Sequence, residues 1–559
     1  MTERPATSSS QVALWLLLAA GLGLGLWQRA TPLAGAFLFG DELHSLGALH
    51  LPWSVLLGRY DAVGSGLALP LVQKALVGGL GASLPVIRAV AFVPALLLVA
   101  AVAWLAHREG GRAAAIVAAL LVALAPVFVF YGHFARSYSL AALLCVGVQI
   151  ACDGGGAQDS ERAEPGSLAW PRALGIALMG GLAVYAHLVS VFFLVGLGIG
   201  VFAASTLRGG LRGLAVHPAT AGLALAALLA LLLHAPALDS LLAFVGQKGD
   251  QVYRAGFGPL DVVAVLAGSS PGTVLVAAGV ALSAVVELRE RHAAAAPIVC
   301  ATLLPPALLW LVSPYGDAYA YARYLLPSAA AGSVLLALGA VRLGRWLAVR
   351  VPALPVEVPG VLLAMALFAF GPRGPLAAPL GPFANTYLGL YPLPAFTEGV
   401  PPAPGWYDDV AGQEPCMTLV EVPPLRNRAV HYMAALWRWH GQDVRMGTFG
   451  PIVPGAPPLD SRLYVDLTRI ADAPRDFDAL VVHRRVVDEV ERYWTSVYSS
   501  PTARGPGRAL LDRHRVYGHD LPSVARGVTD KLESVLGAPT HEDVDIVVWR
   551  FTEGDASAR

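Results

Sequence analysis

Long uninterrupted apolar runs dominate the first two-thirds of the chain. A helix needs about 20 apolar residues to cross roughly 30 Å of hydrocarbon. Runs of that order stand at 11–28, 85–106, 113–131, 137–152, 170–186, 188–206, 219–238, 260–284, 295–313, 324–341 and 357–372. The pattern predicts eleven transmembrane helices. The first run lacks both a strongly basic leader and a small-residue cleavage site, so it reads as a span rather than a signal peptide. Between the first two, residues 29–84 form a loop far longer than an ordinary connection. Its two apolar stretches, Leu46–Leu57 and Leu67–Leu80, are too short to span and carry His50, Arg59 and Lys74. They predict helices lying in the membrane interface.

Beyond residue 373 the pattern changes. Strand-like runs (Met417–Val422, Arg462–Leu467, Ala479–Val482, Asp545–Phe551) alternate with helical ones (Arg428–His440, Val486–Tyr498, Leu521–Leu536). Pro-rich stretches near 371–404 and 451–459 read as a linker and a long loop. The expected fold is therefore an α-helical polytopic membrane domain, residues 1–373, followed by a soluble α/β domain, residues 374–559.

Composition agrees with this division. Of the 559 residues 56% are hydrophobic and only 14% charged, against roughly 25% charged in soluble domains. The charge is concentrated in the second part, where about one residue in five is ionisable, near the soluble norm. That excludes a soluble globular or disordered protein for the whole chain. The formal net charge is zero, so no nucleic-acid partner is indicated. Four cysteines without a CxxC spacing give neither a disulfide framework nor a metal site.

Orientation follows from the basic residues of short loops, which favour the cytoplasm. One set of loops carries Arg108, Arg112, Arg162, Arg172, Arg208, Arg212, Arg289, Arg291, Arg342, Arg345 and Arg350, with Arg4 at the N-terminus. The opposite set carries Arg136, Lys248, Arg254 and Arg323. With eleven spans, the N-terminus is inside and residues 374–559 are extracytoplasmic. A bacterial inner membrane is the expected location.

Ionisable residues at membrane depth are costly and mark functional sites by default. Here they gather on the outer side. Asp41-Glu42-Leu-His44 follows the first span, and Arg136 lies in Tyr131-Gly-His133-Phe-Ala-Arg136-Ser-Tyr138. His187 ends a span in Tyr185-Ala-His187, and Asp317 and Arg323-Tyr324 separate two more. A carboxylate pair and two arginines from separate loops suit an anionic, lipid-linked substrate. Each also has a plainer reading. Asp41 favours the N-cap position of a helix, span-end arginines snorkel to headgroups, and His187 fits a helix-packing role. His44 and His133 lack the spacing of a metal site.

The ordered set of motifs resembles the GT-C superfamily of membrane glycosyltransferases, in particular the protein O-mannosyltransferase-like and lipopolysaccharide galacturonosyltransferase-like enzymes. It comprises Phe39-Gly-Asp41-Glu42-Leu-His44, Leu84-Pro-Val-Ile-Arg88-Ala-Val, Phe134-Ala-Arg136-Ser-Tyr138-Ser-Leu140, Tyr185-Ala-His187 and Ala322-Arg323-Tyr324-Leu-Leu-Pro327. The chain departs from the family's His-Pro-Pro-Leu run in the first loop. Gly66-Leu-Ala-Leu-Pro70-Leu stands in its place, and no role is carried over to that segment or to the C-terminal domain.

The resemblance implies a hexosyl- or pentosyltransferase that moves a sugar from a polyprenyl-phosphate carrier to a lipid, glycan or protein acceptor on the outer face. A sugar phosphate already has a good leaving group. The reaction therefore needs a base for the acceptor hydroxyl and cations for the departing phosphate. Asp41 would be the base, with Glu42 or His44 orienting or tuning it. Arg136 and Arg323 would hold the phosphate through the bidentate fork that lysine lacks, and Tyr138, His187 and Tyr324 would complete the substrate site. Single displacement would invert the anomeric centre. The resemblance assigns no particular cofactor, and a divalent metal is compatible with the chemistry without an assigned ligand. Two other classes compete: a transporter or flippase of a lipid-linked glycan, and a sensor or scaffold that binds envelope polymers. Against a transporter, the halves show no internal repeat, and the polar residues lie at span ends rather than mid-span.

Overall fold

The computed structural model describes residues 8–35, 42, 49, 52–60, 66–81, 83–153, 170–215, 218–250, 270–316, 322–351, 354–370, 405–410, 417–422, 443–446, 448–449, 464–465, 477–483, 529–530, 532–543 and 546–551. The chain divides into two compact units. The first comprises Met1–Ala34 and His44–Leu390, and the second comprises Gly35–Leu43 and Tyr391–Arg559.

The first unit is helical: α1 (Ser8–Gly35), α2 (Trp53–Gly58), α3 (Ala68–Leu80), α4 (Leu84–Gly110), α5 (Arg112–Leu124), α6 (Pro126–Tyr131), α7 (Tyr138–Asp153), α8 (Trp170–Ala186), α9 (Ser190–Ala215), α10 (Pro218–His234), α11 (Leu238–Asp250), α12 (Ser270–Arg291), α13 (Ala296–Gly316), α14 (Leu326–Arg350) and α15 (Val358–Phe370). Helix stands over each of the apolar runs, and the protein is a polytopic α-helical membrane protein. Among the described residues, Leu84–Gly110, Ser190–Leu207, Pro218–Phe244 and Arg323–Arg350 are long and apolar enough to cross a bilayer. The interfacial stretches of the first loop appear as α2 and α3. One run departs from the simple pattern: 113–131 is two helices, α5 and α6, broken at Ala125, whose φ of −63° and ψ of 126° are extended. Pro126 explains the break. It has no N–H for the Val122 carbonyl, and its ring disfavours helical backbone at the preceding residue.

Small residues let the helices approach. A side chain on Gly222 of α10 would begin 2.7 Å from Ile176 Cβ and 2.9 Å from the Ala173 carbonyl of α8. Lipid supplies no hydrophobic drive between helices, so van der Waals packing of this kind holds the bundle together.

At one end, polar groups bind five helices. Arg291 of α12 pairs with Glu109 of α4 and, at 3.3 Å, with Glu287. Arg342 of α14 reaches Glu287 at 2.9 Å and Glu290 at 2.8 Å. Arg108 donates to the Ile150 and Asp153 carbonyls at the end of α7, where Arg172 of α8 donates to Ala151. Much of the arginine bias in these loops thus has partners within the fold.

Among the described residues, the second unit holds α16 (Trp406–Val410) and seven strands: β1 (Thr418–Val422), β2 (Asp443–Met446), β3 (Thr448–Phe449), β4 (Tyr464–Val465), β5 (Ala479–His483), β6 (His541–Glu542) and β7 (Ile546–Arg550). Five form one sheet in the order β2-β1-β5-β7-β6, parallel from β2 to β5 and antiparallel from β5 to β6. The four strand-like runs of the sequence are β1, β4, β5 and β7. The short β2, β3 and β6 carried too little pattern to be seen. Val420, Leu480, Val482, Val547 and Trp549 pack with Leu532 from helical residues 532–536. Of the expected helices, 428–440 and 486–498 lie outside the described residues.

Candidate functional site

At the end of the bundle opposite the ion pairs, the chain turns between α6 and α7. Gly132 and Phe134 donate their N–H groups to the Phe128 and Phe130 carbonyls, and Ser139 Oγ donates to the Tyr131 carbonyl at 2.7 Å. Phe130, Tyr131, Phe134 and Tyr138 stack on one another, with Tyr131 and Tyr138 centroids 5.1 Å apart. This aromatic turn fixes Arg136, which is buried at 3% exposure.

Two other loop ends meet it. His187, between α8 and α9, lies 5.1 Å from the Tyr138 ring and 5.2 Å from the Tyr324 ring. Arg323 occupies the 3-10 turn Ala322–Leu325 that leads into α14. Its guanidinium stands 5.9 Å from the Tyr138 centroid and 5.6 Å from that of Tyr324, at 7% exposure. Tyr138, His187, Ser190, Arg323, Tyr324 and Pro327 line one narrow cleft. A cation held against aromatic faces away from water is strongly placed for an anion.

The structure thus brings together Tyr138, His187, Arg323 and Tyr324, with Arg136 two residues before Tyr138. Asp41 and His44 lie outside the described residues. Glu42 is helical, 1% exposed, and belongs to the second unit's segment Gly35–Leu43. Asp317 is also outside the described residues. Among the described residues no three His, Cys, Asp or Glu side chains gather to hold a cation.

Sequence reading missed Tyr60. It follows α2 and is 2% exposed; its N–H donates to Ser240 Oγ at 2.7 Å, and its ring meets Phe244 and His234 at 5.3 and 6.2 Å. Burial first, then the Tyr324 phenol, push its hydroxyl above the ordinary tyrosine value, while Arg136 pulls the other way. Tyr60 therefore shares the field of the arginine site. A tyrosine just after an interfacial apolar stretch was the available signal, and the neighbouring charge of Arg59 masked it.

Below the cleft, an apolar cavity of about 190 Å³ opens among α5, α12, α13 and α14. Leu121, Val276, Leu303, Leu325, Leu326 and Leu336 contribute to its wall. Leu325 and Leu326 follow Arg323-Tyr324 directly, so the cavity adjoins the charged cleft.

No protein-family model matches the sequence, and no curated protein matches it. Solved structures do. ArnT from Cupriavidus metallidurans, in the apo state, superimposes with a TM-score of 0.54 at 15% identity over 89% of this chain and 97% of that one. The chain shares the fold of ArnT. ArnT bound to undecaprenyl phosphate gives a TM-score of 0.55 at 15% identity, covering 90% and 97% of the two chains. The Archaeoglobus fulgidus oligosaccharyltransferase, crystallised with Zn and sulfate, gives 0.48 at 14% identity over 87% and 70%. The likeness to ArnT is one of fold and covers about nine-tenths of this chain.

Proposed function

We propose that the protein is a glycosyltransferase that moves a sugar from a polyprenyl-phosphate carrier to an acceptor at the extracytoplasmic face of the inner membrane. The observation that carries this reading is buried Arg323 held against the Tyr138 and Tyr324 rings, with buried Arg136 two residues before Tyr138 on a separate loop. A buried guanidinium needs an anion or a full set of acceptors. A phosphate in this cleft receives forked hydrogen bonds and charge at the moment the glycosidic bond breaks. Tyr138, His187 and Tyr324 wall the cleft and exclude water. The adjoining apolar cavity suits the isoprenoid tail, and undecaprenyl phosphate, which ArnT binds, is the chemical class of carrier.

Asp41 is the base that takes the acceptor proton, with Glu42 tuning it and His44 orienting the substrate. The acceptor oxygen attacks the anomeric carbon, the bond to phosphate breaks, and the carrier leaves as polyprenyl phosphate with inversion. The acceptor is a lipid, glycan or protein. The transporter reading fits less well, because Arg136, His187 and Arg323 all lie between helices or at a helix start.

Asp41→Asn tests the base. Asn caps a helix as well as Asp does but accepts no proton. Turnover should fall about 10²–10⁴-fold with normal expression and carrier binding, and Glu42→Gln should be milder. Near-normal turnover in Asp41→Asn would remove Asp41 from this role.

A further inference from the structure

Arg29 sits in α1 with 1% exposure, among the most buried charges of the first unit. Its guanidinium donates from Nη1 to the Ala123 carbonyl at 2.6 Å and to the Gly25 carbonyl at 2.9 Å. Nη2 donates to the Val122 carbonyl at 2.7 Å. Val122 and Ala123 end α5, directly before the break at Ala125-Pro126. In a continuous helix the Val122 carbonyl would take the N–H of the residue four on. That residue is Pro126, which has none. Arg29 therefore supplies the donors that the break removes.

The same side chain touches the other side of the break. A side chain on Gly132 would begin 2.9 Å from Arg29 Nε, and one on Gly25 would begin 2.5 Å from the Ala123 carbonyl. The absence of both Cβ atoms lets α1 lie directly on the gap between α5 and the turn that carries Arg136. Beyond Gly132 the Phe134 N–H donates to the Phe130 carbonyl, and the Arg136 N–H donates to the Phe134 carbonyl.

We infer that Arg29 is a positioning residue: it caps the broken α5 and thereby sets the Gly132–Tyr138 turn that presents Arg136. The inference rests on the reading of Arg136 as a phosphate ligand. Arg29 does not itself touch substrate. Its guanidinium is already committed to three carbonyls of the protein.

The test uses full-length protein in lipid nanodiscs, with undecaprenyl phosphate as the probe. Arg29→Met keeps an unbranched apolar stem and removes every donor. Amide exchange over residues 126–139 should accelerate, while exchange in α8 and α10 stays unchanged. Affinity for the probe should fall about tenfold or more, because small misplacements at a charged site are costly. Unchanged exchange over 126–139 overturns the inference. So does unchanged probe affinity in Arg29→Met where Arg136→Ala binds poorly.

Arg29→Met combined with Pro126→Ala separates positioning from stability. The alanine N–H returns a donor to Val122, so thermal stability should recover while probe affinity stays low. Recovery of both would mean that Arg29 only stabilises the fold, and would overturn the inference. If the wild type and Arg136→Ala bind the probe equally, the phosphate reading of Arg136 has failed instead. Exchange over 126–139 then still decides whether Arg29 holds the turn.

Discussion

Replacing Arg323 puts a magnitude on the proposed phosphate site. Its guanidinium is almost wholly removed from water and faces the rings of Tyr138 and Tyr324. Loss of one partner of a buried charge pair costs about 2–5 kcal/mol. A phosphate at the membrane interface keeps some water and a second cation in Arg136, so the lower half of that range applies to Arg323→Ala. At about 1.4 kcal/mol per decade, this corresponds to roughly 30- to 300-fold weaker binding of polyprenyl phosphate. Arg323→Lys keeps the charge and loses one arm of the fork. A net hydrogen bond of about 0.5–1.5 kcal/mol makes that loss roughly 2- to 12-fold. In the folded state Arg323 also faces two aromatic rings, contacts of about 2 kcal/mol each when desolvated, so membrane levels of both variants are measured beside affinity. Calorimetric titration in nanodiscs with polyprenyl phosphate, and with the uncharged polyprenol as control, measures these values. The alcohol should bind wild type and variants alike. An Arg323→Ala affinity for the phosphate within threefold of wild type, with normal protein levels, would return Arg323 to a snorkelling residue and remove the physical basis of the site.

Three further outcomes follow from the same structure. A C-terminal alkaline-phosphatase fusion should be active and a C-terminal green fluorescent fusion dark; the reverse pattern means that the span count is off by one. Tyr60 has a folded-state pKa above its ordinary value of 10.0, so the stability it contributes is present below about pH 10 and declines as the pH rises from there. Tyr60→Phe should flatten that alkaline decline in thermal unfolding between pH 9 and 11, and an identical slope in wild type and variant counts against the buried phenol. Trp549 is 2% exposed and its Nε1 donates to the Gly537 carbonyl at 2.9 Å. Trp549→Ala should cost about 3–5 kcal/mol, visible as rapid proteolysis of the C-terminal domain, whereas wild-type protease resistance would contradict the packing described.

What was legible in the sequence depended on how local its cause was. Apolar length decides where helices form in lipid, so helix stands over the described part of every long run, and strand-like runs of four to seven residues marked β1, β4, β5 and β7. Arg136, Tyr138, His187, Arg323 and Tyr324 were legible because charge and aromatic residues at the ends of apolar runs have few other uses. Tyr60 was not, since its burial comes from Phe244, His234 and Ser240, about 180 residues away in the chain. Arg29 was hidden for the same reason. Its partners are the Val122 and Ala123 carbonyls, and only a three-dimensional arrangement shows that a proline left one of them without a donor. The break at Ala125 was readable from Pro126 but was absorbed into one apolar run, because hydropathy does not register a lost hydrogen bond. The short strands β2, β3 and β6 carry two to four residues each, too few for a period to appear.

The most direct measurement is release of polyprenyl phosphate by the purified full-length protein in nanodiscs. It is offered a panel of polyprenyl-phosphate sugars together with acceptors extracted from the cell envelope. One donor should release its carrier in step with sugar appearing on an acceptor, and Arg323→Ala should lose most of that release. No release with any donor, alongside movement of intact lipid-linked sugar between leaflets of a vesicle, would contradict sugar transfer and make the protein a transporter.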